Sequence, residues 1–305
     1  MTLSIVITTH DRKKELEECI RSIKDSDMAN IDFELIVVDD ASSDSTKMLR
    51  SEELNLPNSK IIHLKDKVMM AASRNIGARE SKGEFVLFID DDNEIDKKMI
   101  KVLVAFIKKN SEYGIIGPGG YYFETRKRYL DYQTINLCSG RTRGIVSVEK
   151  REVFESDGIP NVFLIRKTVF EKCGYFDEAL IQTFTEPDFA MRIKKDGFKC
   201  GVVPEAMTFH KVQKVDNYKP RGLGGKFSQK AYCLMRNRTV YISRYGNILN
   251  KVVYIILFSW FWPAIYSAFA LIYGRADLFK IYWKGFADGI IYFFTRKLRN
   301  SLGVI

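Results

Sequence analysis

The first hundred residues alternate two hydrophobic patterns. Continuous apolar runs at 3–8, 34–38, 60–64 and 85–89 are rich in β-branched residues and bounded by polar ones, the signature of strands buried on both faces. Between them, apolar residues recur at helical spacing. Leu16, Cys19, Ile20 and Ile23 share one helix face, and Met99, Ile100, Leu103, Val104 and Ile107 share another, with Asp96 as its candidate N-cap. Further helices are expected around 45–54, capped from the polar turn 39–44, and at 71–81, ended by Gly83. Strand and helix alternate, which predicts a parallel α/β sheet with right-handed crossovers.

The rhythm changes at 114–120, rich in glycine with Pro118, and 121–157 reads as loops and edge strands. Helical character returns at 167–173 and 188–196, and short strands are expected at 199–203 and 206–209. The run 252–274 carries no charge and is long enough to cross a bilayer core. Trp260 and Trp262 favour membrane over a buried soluble helix, while Pro263 at its middle leaves a single span and a re-entrant hairpin both open. The stretch 278–294 is aromatic but carries Lys280, Lys284 and Asp288, as an interfacial amphipathic helix does.

Charge sharpens this division. The chain has 305 residues and a net charge of +10, yet 1–210 are slightly acidic. The excess lies in 211–251, where Asp216 is the single acid, and in 275–305. A basic cluster beside an apolar segment points to anionic lipid headgroups rather than nucleic acid. The five cysteines are widely spaced with no C-x-x-C pair, which excludes a disulfide framework or zinc site and fits a reducing compartment. No cleavable signal is expected at the start.

Three predicted strands end in polar residues: Thr8, Thr9 and His10; Asp39 and Asp40; Asp90, Asp91 and Asp92. Ligands of open α/β sheets bind beyond the carboxyl ends of strands. Three adjacent carboxylates repel one another, and a hard divalent cation, Mg²⁺ or Mn²⁺, would relieve that repulsion.

The ordered motifs Ile-Val-Ile-Thr-Thr-His-Asp-Arg near the start, Val-Val-Asp-Asp-Ala-Ser-Ser-Asp at 37–44, Ser-Arg-Asn-Ile-Gly-Ala-Arg-Glu-Ser-Lys-Gly at 73–83 and Phe-Ile-Asp-Asp-Asp-Asn at 88–93 resemble glycosyltransferase family 2. So do Gly-Tyr-Phe-Asp-Glu at 174–178 and Thr-Glu-Pro-Asp-Phe-Ala-Met-Arg at 185–192. The resemblance implies an α/β GT-A fold, with a mostly parallel Rossmann-like sheet flanked by helices, using a nucleotide-diphosphate sugar and Mg²⁺ or Mn²⁺. By that resemblance Thr8 and Thr9 line the nucleotide pocket, and Asp40, or Asp39 beside it, meets the base unless it caps the next helix. Arg74 approaches the diphosphate, or is an exposed helix cation. Asp90 and Asp92 match the outer D-x-D positions: Asp92 binds metal, and Asp90 or Asp91 contacts ribose or metal-bound water. His210 is expected to ligate metal or contact diphosphate, if it is not simply a surface histidine. The family's acidic base aligns with Glu186, with Asp188 as the alternative unless it is an N-cap. The stretch 222–226 lacks phosphate-loop spacing and reads as a lid or linker.

The expected organisation is a catalytic domain at 1–215 (nucleotide-sugar half 1–115, acceptor half 116–215), a basic linker or lid at 216–251, and membrane-associated helices at 252–305. The expected function is metal-dependent, inverting transfer of a sugar, hexosyl in type, to an acceptor hydroxyl. A lipid-linked saccharide or polysaccharide at the cytoplasmic face of a membrane is the expected acceptor. A polyprenyl-phosphate acceptor is the alternative, and a sugar nucleotidyltransferase or a non-catalytic membrane scaffold are the rivals of other classes.

Overall fold

The computed structural model describes residues 1–211 and 228–303. The chain divides into two compact units: 1–134, 144–176 and 189–212 form one, and 135–143, 177–188 and 213–305 form the other.

The first unit is built on strands β1 (Leu3–Thr9), β2 (Phe33–Asp39), β3 (Ser59–His63), β4 (Phe85–Asp90), β5 (Asn93–Ile95), β6 (Tyr113–Tyr122) and β7 (Arg128–Leu130). A two-stranded hairpin of β8 (Tyr132–Asn136) and β9 (Arg141–Ile145) follows, then β10 (Phe154–Glu155), β11 (Val162–Arg166) and β12 (Lys199–His210). The main sheet runs β10-β12-β6-β11-β4-β1-β2-β3, and the β4-β1-β2-β3 half is parallel throughout. Helices α1 (Lys13–Lys24), α2 (Met69–Glu80), α3 (Met99–Lys109), α4 (Lys167–Cys173) and α5 (Thr185–Lys195) follow in chain order.

Strand alternation explains why both faces need cover. Leu3, Ile5, Ile7, Leu35, Val37, Leu87 and Ile89 point into a core with Leu16, Ile20, Leu103 and Ile107 from α1 and α3. Their neighbours Val6, Ile36, Val38, Val86 and Phe88 point the other way, against Ala71, Ala78, Phe170, Phe176 and Phe189. The predicted strands and helices of 1–110 are therefore present, with two changes. Asp96 is not the N-cap of α3: that position is Lys98, whose amide donates to the Asp96 carboxylate at 2.9 Å ahead of the helix. The helix expected around 45–54 is two short 3₁₀ turns, Ser45–Met48 and Ser51–Leu54, the first capped by Asp44 accepting from the Thr46 amide.

Other expectations are corrected. The separate short strands expected at 199–203 and 206–209 are one strand, β12, bulged between Val203 and Met207 around Pro204, and the glycine-rich 114–120, to which the sequence pattern assigns no element, is the interior of β6. Helix α5 begins at Thr185 rather than 188, so Asp188 lies inside its first turn and is not an N-cap.

The second unit contains α6 (Ser228–Tyr245), α7 (Ile248–Val253), α8 (Phe261–Ile272) and α9 (Asp277–Thr295). The stretch expected as a linker thus holds an 18-residue helix, and the 222–226 lid lies outside the described residues. Residues Ile248–Ile272 form one helix, with a π-helical turn at Tyr254–Phe258. Pro263 falls in the first turn of α8, where a missing N–H is tolerated, so of the two topologies left open the chain does not adopt the hairpin broken at Pro263. Helix α9 buries Leu278, Tyr282, Gly285, Asp288, Gly289 and Tyr292, and packs along α6. Asp288 is thus part of a buried face rather than an interfacial one: the Tyr232 hydroxyl donates to it, as do the amide and hydroxyl of Ser301, each at 2.8 Å.

Close approach of α6 and α9 depends on glycine. A Cβ on Gly285 would lie 2.4 Å from the Tyr232 carbonyl oxygen, a backbone atom that cannot step aside alone. Gly285→Ala is expected to destabilise the protein by about 1–3 kcal/mol, read as a lower urea midpoint. An unchanged midpoint would mean that the two helices separate without cost.

Candidate active site

The parallel half of the sheet brings three strand ends to one edge. Thr8 pairs in register with both Val38 and Asp90, and Thr9 pairs with Asp39. The carboxylates that follow are not left to repel one another. Arg74, on α2 and only 1% exposed, donates from Nη2 to Asp90 Oδ1 at 2.6 Å, with its guanidinium over the Phe163 ring. Arg12, just before α1, donates from Nη1 to Asp91 Oδ1 at 2.9 Å and to Asp92 Oδ2 at 3.1 Å. Thr9 Oγ1 donates to Asp91 Oδ2 at 2.8 Å.

The three aspartates therefore differ. Asp91 is buried, and burial with the charge of Asp92 pushes its pKa up to about 7 despite Arg12 and Thr9. Asp92 feels burial too, but the His210 and Arg12 contacts outweigh it and hold its carboxyl below the usual range. Its Oδ1 lies 3.4 Å from His210 Nε2 and accepts from Asn93 Nδ2 at 3.1 Å. His210 ends β12, and its Nε2 is 3.2 Å from Asn161 Nδ2.

Asp39 and Asp40 are both engaged. Asp40 accepts from the amides of Val68 and Met69 at 2.7 and 2.9 Å, capping α2 rather than the turn that follows it in sequence. Asp39 accepts from the Ser42 amide at 3.1 Å and lies 2.7 Å from His63 Nδ1. His63 is partly buried, which would lower its pKa, but the bond to Asp39 raises it above the ordinary value. Arg74 is buried, so it is not the exposed helix cation that its sequence position also allowed.

Asp92 Oδ1 supplies the hard oxygen that Mg²⁺ or Mn²⁺ takes, and His210 Nε2, 3.4 Å from it, adds a nitrogen donor that Mn²⁺ accepts more readily than Mg²⁺. Among the described residues no cluster of three or more His, Cys, Asp or Glu is placed to hold a metal. Two protein donors still fit such an ion, which usually keeps waters and completes its shell with substrate phosphates.

Glu186 and Asp188 lie in the other unit, in the first turn of α5. Glu186 is partly exposed, and its Oε2 accepts from Thr185 Oγ1 at 2.7 Å. Asp188 is 1% exposed, with Oδ1 accepting from Arg244 Nη1 at 2.8 Å and the Tyr245 hydroxyl at 2.7 Å. Sequence reasoning passed over Arg12, Arg244 and Tyr245. Arg12 had a signal, a cation directly after the first strand end. The residues of α6 had none, because their partners are more than fifty positions away.

Comparison with known proteins agrees with this architecture. The glycosyl transferase family 2 model matches residues 4–174. The poly(ribitol-phosphate) beta-N-acetylglucosaminyltransferase TarS of Staphylococcus aureus (strain Mu50 / ATCC 700699) is 32% identical over 111 residues, 36% of this chain and 19% of TarS. Chondroitin synthase of Escherichia coli is 27% identical over 237 residues, 68% of this chain and 34% of that enzyme. The chain thus spans about a fifth and a third of these two relatives. Among solved structures, S. aureus TarS 1-349 in complex with UDP-GlcNAc superposes with a TM-score of 0.57 at 19% identity, covering 100% of this chain and 76% of that one. GalNAc-T7 with UDP, GalNAc and Mn²⁺ gives 0.63 at 18% identity, covering 83% and 54%. These structural likenesses concern the fold, which is GT-A. With the family model matching more than half of a chain whose parallel strand ends gather the expected carboxylates, the protein belongs to glycosyl transferase family 2.

Proposed function

We propose that the protein transfers one sugar, with inversion, from a nucleotide-diphosphate sugar to a hydroxyl of a cell-envelope glycan. The observation that carries this reading is the strand-end cluster, in which Arg12, Arg74 and His210 each hold one or two of Asp90, Asp91 and Asp92. Support for the donor comes from solved neighbours described with UDP and UDP-GlcNAc, and for the acceptor from relatives named for poly(ribitol phosphate) and teichoic acid.

Asp92 and His210 would hold a divalent cation, which when bound supplies positive charge to the diphosphate leaving group. The residues of the chain do the rest. Arg12 fixes Asp92 through Oδ2, and the depressed pKa keeps that carboxylate ionised at neutral pH. Arg74 fixes Asp90, the carboxylate that would meet the ribose. Thr8 and Thr9, with Asp39 and Asp40, shape the base pocket by holding the ends of β1 and β2. Glu186 accepts the proton of the acceptor hydroxyl as that oxygen attacks the sugar's anomeric carbon. Asp188 is the weaker candidate for this step, because it is buried and bound to Arg244 and Tyr245.

A polyprenyl-phosphate acceptor is already ionised and needs no base, so a requirement for Glu186 speaks against it. A nucleotidyltransferase would need a glycine-rich basic loop after β1, and 8–12 contain no glycine. Thermal melts against a panel of nucleotide sugars with Mn²⁺ test the donor. Stabilisation by a uridine or other nucleoside-diphosphate sugar that EDTA abolishes is expected, and a flat panel would overturn the reading.

Membrane association at the cytoplasmic face belongs to the same proposal, as a helix lying on the bilayer rather than through it. Ile248, Leu249, Val252, Ile256, Leu257 and Trp260 are exposed along one side of the helix Ile248–Ile272. Its other side is fastened to protein: Asn250 Nδ2 to Cys138 Sγ at 3.1 Å, the Tyr254 and Thr239 hydroxyls at 2.9 Å, and Trp262 Nε1 to the Ser139 carbonyl at 2.6 Å. Polar fastenings spread over ~18 Å of helix suit an interfacial position better than a crossing. Co-sedimentation with anionic phosphatidylglycerol vesicles is expected, and Ile256→Glu with Trp260→Glu should abolish it. Protein that stays in solution with every vesicle would contradict this placement.

A further inference from the structure

The residues that lead into Glu186 have an unusual backbone. Ile181 sits at φ 65° and ψ −66°, a γ-turn closed by the Gln182 amide donating to the Leu180 carbonyl at 2.6 Å. Thr183 and Phe184 follow at φ 59° and 58°. Three non-glycine residues in the left-handed half of the map, two of them β-branched, persist only where surroundings over-determine them. Glu186 is two residues beyond the last.

Helix α6 supplies those surroundings, within the same unit. Asn237, fully buried, directs Nδ2 at three carbonyls of this segment: Leu180 at 2.7 Å, Gln182 at 2.8 Å and Thr183 at 3.0 Å. Arg236 donates from Nη2 to the Ala179 carbonyl at 2.7 Å. One helical turn past Asn237, the Tyr241 ring meets Phe184 at 5.4 Å. Arg244 then takes both ends of the segment, Asp177 through Nη2 and Asp188 through Nη1, each at 2.8 Å, and Tyr245 adds its hydroxyl on Asp188. A helix whose side chains, Arg236 and Asn237 buried and Arg244 and Tyr245 half-buried, bind the start, middle and end of a strained segment fixes the direction in which that segment's last residues project.

We infer that α6 is the scaffold of the base: Asn237, Arg244 and Tyr245 are positioning residues that act on sugar transfer through Glu186, and Asp188 is their anchor. This rests on the reading of Glu186 as the proton acceptor. Displacements of about 1 Å in a catalytic group cost on the order of a hundredfold in rate. Loss of these contacts should therefore lower turnover without weakening donor binding.

The test is a double-mutant cycle on the full chain, following UDP release from UDP-GlcNAc with Mn²⁺ and water as acceptor. Asn237→Ala is expected to lower kcat on the order of ten- to a hundredfold with KM unchanged, and Tyr245→Phe, which removes one hydroxyl, by roughly threefold. In a Glu186→Gln background both substitutions should be silent, because the group they position is gone. Losses that multiply instead would make these residues merely structural and overturn the inference while the Glu186 reading stands. A Glu186→Gln protein as active as the parent, or a parent that releases no UDP, would remove the reading beneath it. Hydrogen exchange at 181–188 then decides the scaffold alone. Faster exchange in Tyr245→Phe, which should fold even if Asn237→Ala does not, supports it, and unchanged exchange overturns it.

Discussion

Asp92→Asn is expected to reduce sugar transfer on the order of a hundred- to a thousandfold and to abolish the metal dependence of nucleotide binding. Three features of Asp92 make it the most sensitive position. It keeps its negative charge at neutral pH because His210 and Arg12 offset its burial. Its Oδ1 faces His210 Nε2, whereas Asp91 is buried against Thr9 and Arg12, and Asp90, half-buried, pairs with Arg74. The asparagine keeps the size and the Asn93 neighbour but loses the charge that a cation on the diphosphate requires. Titration of the donor nucleotide with and without Mn²⁺, in parent and variant, measures this directly. Full transfer in the presence of EDTA, or an unchanged Mn²⁺ response in the variant, would refute the role of Asp92. The matching change at Asp91 should behave differently, because a carboxyl with a pKa of about 7 already carries a proton part of the time.

Glu186→Gln is expected to lower kcat by roughly 10²–10⁴ while donor affinity stays within about twofold, since a general base acts on the acceptor in the transition state. Asp188→Asn separates the two acidic candidates by a different signature. Removing its charge takes the buried carboxylate from a half-buried Arg244 and leaves that guanidinium paired with Asp177 alone, so a loss of stability is expected ahead of a loss of turnover. The pair of variants is read by kcat and by urea midpoint together. A Glu186→Gln enzyme with normal turnover beside an inactive, fully stable Asp188→Asn enzyme would reverse the assignment.

Much of this could be read from sequence because it is local. Strands β1, β2 and β4 are unbroken apolar runs, and the carboxylates stand directly at their ends, so periodicity alone delivers both the sheet and its ligand edge. Strand β6 escaped because its sequence carries turn residues. Gly117 is there for contact rather than for bending, since a Cβ would lie 2.4 Å from the Pro160 ring. The neutralisation of the aspartates was not legible either. Arg12 and His210 lie 80 and 118 positions from Asp92, and only the fold brings them to it. Helix α6 hid for another reason: Arg236, Asn237, Arg238 and Thr239 are consecutive, polar and buried, which erases the amphipathic period by which a helix is recognised. Arg236 and Asn237 are explained by the carbonyls of 179–183 that they bind, and Arg238 and Thr239 by the Trp262 ring and the Tyr254 hydroxyl.

Product analysis of one reaction bears on the whole reading. The purified protein would be incubated with a nucleoside-diphosphate sugar chosen by the thermal panel, Mn²⁺ and a cell-envelope glycan acceptor. The nucleotide product is identified by ion-exchange chromatography and the new linkage by its anomeric proton coupling. Metal-dependent release of one nucleoside diphosphate per sugar transferred, with the anomeric configuration opposite to that of the donor, is the predicted result. Release of pyrophosphate, transfer that survives EDTA, or a retained configuration would contradict it.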